Sequence, residues 1–228
     1  MATQSRNARA EARRREQEEQ RRAEVRRQRL LFGGIGVAVL ALAILIAVIS
    51  VGETDDSLSL SDVAGDPDIS GETLVPMPEG AEDPAVGEPA PAVEGEDFDG
   101  TSVTVGDAGT PQLLTFVASW CPACDAELPE VVSWLEEGGL PNDVDFTMVV
   151  TNHDDSRTNW PPQDWLADAG YTGTALVDDL DSGVFQAYGL RSTPSWVVVG
   201  EDGQILHRSS GVLDPSQYDQ LAELARTG

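Results

Sequence analysis

Apolar positions along this chain follow three rhythms, and each predicts a different kind of structure. From Leu30 to Gly52, LLFGGIGVAVLALAILIAVISVG runs for 23 residues without a charge. As a helix rising about 1.5 Å per residue, it covers about 34 Å, enough for a bilayer core of about 30 Å. From Glu53 to Ala85 the rhythm disappears: ETDDSLSLSDVAGDPDISGETLVPMPEGAEDPA is rich in Asp, Glu, Gly, Pro and Ser. That composition predicts a disordered acidic tether extended by its own charge. From Val86 to Gly228 short apolar runs alternate with amphipathic stretches, the pattern of one folded domain.

Within that domain, TSVTV (101–105) alternates as a half-buried strand does, after the turn signal FDG. QLLTFVA (112–118) and VDFTMVV (144–150) are almost continuously apolar, as strands buried on both faces are. Segment 122–137 sets Leu128, Val131, Val132 and Leu135 on one helical stripe, and GGLP stops it. PPQDWLADAG (161–170) reads as a short helix opened by proline and closed by glycine. TALVD (174–178) is a weaker strand and DSGVFQAYGL (181–190) a short helix. SWVVVG (195–200), the EDG turn and QILHRS (204–209) form a hairpin signal. DPSQYDQLAELAR (214–226) is a capped amphipathic helix with Tyr218, Leu221 and Leu224/Ala225 facing inward. Strands alternating with helices and ending in a hairpin predict an α/β sandwich with a mixed sheet.

Charge sharpens the picture at the N-terminus. The chain has no Lys, and ten of its 14 Arg lie in the first 29 residues beside five Glu. The remaining residues hold 35 of 40 acids and four Arg, a formal charge of 4 − 35 = −31. The uncharged run is longer than a signal-peptide core, VISVGETDD is a poor cleavage site, and no cysteine lies near its end for lipid attachment. A buried core helix would not be bracketed by an Arg cluster and an acidic tract. The expectation is therefore a cytoplasmic tail at 1–29, an uncleaved single-pass anchor at 30–52 and an exported remainder. So acidic a surface repels phosphate and excludes nucleic-acid binding. It reads as a solvated surface; steering of a cationic partner is the alternative.

Cys121 and Cys124, in SWCPACDAELP, are the only cysteines. As a structural staple the pair closes a loop of about four residues, worth about 2 kcal/mol against about 3 for fifteen. As a metal site it is half complete, because only His153 and His207 remain and neither has ligand spacing. The redox reading uses the whole stretch. If the strand ends near Ala118 and the helix starts at Pro122, Cys121 is the N-cap and Pro122 the first helical residue. The amides of Ala123 and Cys124 then point at the Cys121 sulfur and favour its thiolate, lowering its pKa below about 8.5. Cys124, one turn along, lies deeper and less ionised. Cys121 attacks and Cys124 resolves.

FVASWCPACDAELP resembles the active-site segment of thioredoxin-like proteins, in particular the membrane-anchored TlpA/ResA/CcmG type. Trp120 before the first cysteine, Pro129 five after the second, Thr193-Pro194 in LRSTPSWVVV, and the entries VGEPAP (86–91) and FDGTSVTVGD (98–107) all match. The resemblance covers about residues 86–226. It implies a thioredoxin-like fold and a redox-active Cys121–Cys124 disulfide with no other cofactor. It implies that Pro194 is cis beside the sulfurs, with Thr193 free to pair with an extended substrate and Trp120 in contact with it. It also implies that Glu127 is a buried carboxylate serving as general base for Cys124, where simple thioredoxin uses an Asp at the position of Thr115. Asp125 reads as surface. The implied partners are extracytoplasmic proteins with disulfides or thiols, apocytochrome c among the candidates, and a membrane-embedded electron donor; the implied place is the bacterial cell membrane. Pro-Ala between the cysteines departs from the family's usual dipeptides, so the direction of electron flow stays open. The alternatives are an oxidase-type partner that introduces disulfides, a thiol peroxidase of the same superfold, and a non-catalytic acidic scaffold. The peroxidase reading lacks its Pro and Thr/Ser, since Leu114 and Ala118 stand in those places.

Overall fold

Residue-by-residue burial explains the architecture best along the strand that begins at Gln112. The computed structural model describes residues 58–80 and 82–228. The elements are α1 (Leu60–Val63), β1 (Asp68–Ser70), β2 (Ala92–Glu96), β3 (Ser102–Val105), β4 (Gln112–Val117), α2 (Pro122–Glu136) and β5 (Asp145–Val150). They continue with α3 (Pro162–Asp168), β6 (Thr174–Val177), α4 (Gly183–Ala187), β7 (Ser195–Val199), β8 (Ile205–Ser210) and α5 (Pro215–Thr227). All six residues of β4 are buried. Leu113 and Val117 enter one core with α2 and α5, while Leu114 and Phe116 enter a second on the opposite face with α4, β2 and β3. A strand apolar on both faces needs cover on both, and the fold supplies it.

The main sheet has the order β6-β5-β4-β7-β8, with β4, β5 and β6 parallel and β7 and β8 antiparallel. This is the mixed sheet that the pattern predicts, in a thioredoxin-like sandwich. Every element predicted within the domain is present, with no end moved by more than three residues. The stripes hold as well: α5 buries Tyr218, Leu221, Ala222 and Ala225, with Leu224 only half-buried. On α2 the structure adds Trp134 to the buried set, its indole N–H donating to Asp219 of α5.

One expectation needs correcting. The tether predicted for 53–85 is ordered at residues 58–80 and 82–85. β1 adds a third strand to an antiparallel sheet of order β1-β2-β3, and neither β1 nor β2 was visible in the pattern. Val63, Leu74 and Ala85 are buried. The strap is pinned at its end by a bidentate pair: Arg208 Nε and Nη2 donate to Asp83 Oδ2 and Oδ1 at 2.8 and 2.6 Å. The Arg208 side chain is fully buried, and its Nη1 also donates to the carbonyls of Val75 and Tyr188. Gly189 lets the strap come this close, because a Cβ at its φ of +64° would meet Val75 O at 2.5 Å. Three apolar anchors and one ion pair order a segment whose average composition reads as disordered. The predicted tail (1–29), anchor (30–52) and tether residues 53–57 lie outside the described residues. Among the described residues, no helix is long and apolar enough to cross a membrane.

Candidate active site

β4 runs out at Val117, and α2 begins at Pro122 with Cys121 as its N-cap. The Cys124 amide donates to Cys121 Sγ at 3.4 Å, as the start-of-helix geometry requires. Both cysteines are free thiols. Cys121 is 7 % exposed and Cys124 1 %. Burial works to raise the Cys121 pKa. Hydrogen bonds with the Thr193 side chain, the Cys124 thiol and the amides of Cys124 and Ala123 outweigh it and leave the pKa lowered. For Cys124, burial and then the neighbouring Cys121 push it up to about 12. Cys121 is the more readily ionised sulfur, and Cys124 stays a thiol at neutral pH.

The Thr193–Pro194 peptide is cis, and Cys121 Sγ donates to the Thr193 carbonyl oxygen at 3.3 Å. Pro194 precedes β7, where its missing N–H breaks no ladder bond. Its carbonyl accepts from the Gly211 N–H at 2.9 Å, tying the link between β8 and α5 to the same rim. Trp120 is half-buried beside the nucleophile. Its indole N–H donates to Asn152 O at 2.6 Å, and the Arg157 guanidinium lies 4.7 Å above its ring.

Glu127 is buried at 2 % exposure, one turn beyond Cys124 on α2. Burial raises its pKa against the Leu213 amide, the Tyr218 hydroxyl and the Trp196 indole, which favour the carboxylate. Its hydrogen bonds of conventional geometry go to the first two groups, at 2.7 and 3.3 Å, and none goes to Cys124. The structure thus brings Cys121, Cys124, Thr193, Pro194 and Trp120 to one rim and sets Glu127 beneath it.

Two features lay beyond sequence reasoning. Asp125 is exposed, as expected, yet it organises the rim by accepting from Asn159 Nδ2 at 3.1 Å and Trp165 Nε1 at 2.9 Å. Asn159 also donates to Ser119 O at 3.0 Å, so the loop after β5 is stitched to the residues just before Cys121. Nothing in the local pattern marks a contact spanning 34 or 40 positions. Tyr218 was legible only as a core residue of an amphipathic helix, although its hydroxyl reaches Glu127. Among the described residues no cluster of His, Cys, Asp and Glu could hold a metal ion.

A mixed five-stranded sheet, covered on one face by α2 and α5 and on the other by α4, β2 and β3, with a cysteine pair opening the helix after its central strand, defines a thioredoxin-like redox protein. The Redoxin family model matches residues 85–222, and the chain belongs to that family. It is 26 % identical to the thiol:disulfide interchange protein DsbE of Pseudomonas aeruginosa, over 51 % of this chain and 60 % of that protein. It is 24 % identical to the thiol-disulfide oxidoreductase ResA of Halalkalibacterium halodurans, over 58 % of this chain and 72 % of that protein. The crystal structure of StoA from Bacillus subtilis superposes with a TM-score of 0.50 at 24 % identity, covering 60 % of this chain and 98 % of that one, which supports the fold.

Proposed function

We propose that this protein is an extracytoplasmic thiol–disulfide oxidoreductase that reduces disulfides of client proteins through Cys121 and Cys124. One observation carries the reading: Cys121 caps the start of α2 and accepts the Cys124 amide at 3.4 Å, while Cys124 is buried one turn along, an arrangement that lowers the pKa of the first thiol and pushes that of the second up to about 12. That asymmetry divides the labour. The Cys121 thiolate attacks a client disulfide, forms a mixed disulfide and expels one client sulfur, which takes up a proton. The Cys124 thiol passes its proton to the Glu127 carboxylate and attacks Cys121 Sγ. The second client sulfur leaves as a thiolate and takes up a proton, Glu127 returns its own to solvent, and the client departs with two thiols while the pair is left as a disulfide, two electrons poorer. An external dithiol donor in the membrane reverses the balance. Thr193 pairs with the extended client, and Trp120 shields the reacting sulfurs.

Placement outside the cytoplasm is supported by the Arg-rich tail, the uncharged 30–52 run and the acidity of everything after it. The names of the relatives support exchange with protein clients, apocytochromes c among the candidates for a reductase of this type. The deciding experiment is a trap. A Cys124→Ala variant should retain clients covalently on Cys121, released by dithiothreitol and identified by mass spectrometry. Alkylation of wild-type Cys121 should exceed that of a free cysteine thiol at pH 7. No captured client, together with ordinary alkylation kinetics, would remove the assignment.

A further inference from the structure

Glu127 is held by α5 and the link before it, and by nothing on its own helix. Both conventional donors land on one oxygen: the Leu213 N–H at 2.7 Å and the Tyr218 O–H at 3.3 Å each reach Oε1. Among the described residues Oε2 receives no hydrogen bond of conventional geometry, although the Trp196 indole N–H of β7, buried and otherwise unpartnered, also lies close enough to the carboxyl to favour its charged form. Tyr218 is fully buried, its ring 5.1 Å from Trp196 and 5.6 Å from Trp134, so the phenol is fixed in place by packing on two sides. Two residues before Leu213, the Gly211 N–H is bound to Pro194 O at the client-facing rim and ties the link down.

We propose that Tyr218 is a positioning residue that sets the proton affinity of Glu127: with the Leu213 amide it anchors Oε1 and leaves Oε2 to take up the proton. This deepens the proposed function and rests on Glu127 being the acceptor for Cys124. Cys124 lies one turn back on the same helix, the Tyr218 hydroxyl faces the carboxyl from α5 and the non-titrating Trp196 indole from β7; the charges of Glu130 on α2 and of Asp214, the N-cap of α5, act on the phenol. Burial and the charges of Glu127, Glu130 and Asp214 push the Tyr218 phenol up, so it stays a donor through the working range. Loss of that donor disfavours the carboxylate, and the Glu127 midpoint must rise.

The test uses the full reduced chain as wild type, Tyr218→Phe, Glu127→Gln and the double variant. Phe keeps the ring and its packing and deletes only the hydroxyl. Carbon-13 NMR of labelled Glu, with the Glu127→Gln spectrum identifying the resonance, should show the Glu127 midpoint rising by roughly one pH unit in Tyr218→Phe. The pH profile for resolution of a Cys121 mixed disulfide should move the same way, and adding Tyr218→Phe to Glu127→Gln should change nothing further. An unmoved carboxyl midpoint overturns the proposal. So does a rate change of equal size in the Glu127→Gln background, which would assign Tyr218 to packing alone. A wild-type profile in Glu127→Gln beside a shifted carboxyl midpoint in Tyr218→Phe sinks instead the acceptor role of Glu127, and leaves the hold of Tyr218 on it standing.

Discussion

The rim around Cys121 and the strap at residues 58–85 are both held by buried polar contacts, but they are written into the chain in opposite ways. At the rim the essential geometry is local: N-cap, proline and second cysteine fall within four consecutive positions, and a helix start aims the amides. In the strap the holding contact joins Asp83 to Arg208 across 125 positions, and neither residue announces the other. Local geometry tunes reactivity here, whereas the distant pair decides whether a segment is ordered at all. The difference teaches that a motif predicts chemistry well because its partners are fixed by backbone periodicity. A distant ion pair is fixed only by the finished fold.

The comparison breaks most sharply at Cys121. Cys121→Ser should abolish disulfide exchange in an insulin-reduction assay while leaving the denaturant midpoint nearly unchanged, since the loss is of a nucleophile and not of packing. Arg208→Ala should do the reverse. Removing one partner of a buried pair costs about 3–5 kcal/mol. Urea unfolding should show that loss, and hydrogen exchange should show residues 74–85 unprotected, with Cys121 alkylation preserved in the folded fraction. If exchange in the strap is unaltered, the pair does not hold it.

Next in size is Glu127→Gln, which should slow resolution of the mixed disulfide by about 10²-fold and flatten its pH dependence, without slowing the first attack by Cys121. Stopped-flow measurement of the two steps separates them. Acid then probes the strap more gently. Arg208 holds the Asp83 carboxyl below its usual range, so its stabilisation is complete above the unfolded pKa of about 4 and fades as pH falls through the lower folded value. Protection of the strap amides should therefore decline only at acid pH, and a decline starting near neutrality would point to another group. The smallest effect belongs to Arg157, exposed and stacked over Trp120. Arg157→Ala should change client exchange rates by only a few-fold, in line with a surface contact of about 0.5–1 kcal/mol.

Much of the site could be read before the fold was known. Cys121, Cys124 and Trp120 stand in one short stretch, and Thr193-Pro194 stands before a strand whose ladder a proline cannot join. Less could be read of what surrounds them. Asp125 looked like an ordinary surface acid, and only the approach of Asn159 and Trp165 makes it a fastening point for the loop after β5. Glu127 was placed by resemblance, but its two donors come from α5 and the link before it, which no spacing on α2 could reveal.

The sequence by itself determined the alternation of strands and helices, the mixed sheet, the helix opening at Pro122 and the unequal acidity of the two cysteines. All of these follow from periodicity and from groups within a turn of one another. Only the tertiary structure decided that Val63, Leu74 and Ala85 pack against the domain, that Arg208 is spent on Asp83, and that Tyr218 reaches the carboxylate beneath the redox pair. The physical reason is range: helical and strand repeats fix neighbours a few residues away, whereas the partner of a buried charge is chosen by whichever distant segment the closed core brings beside it.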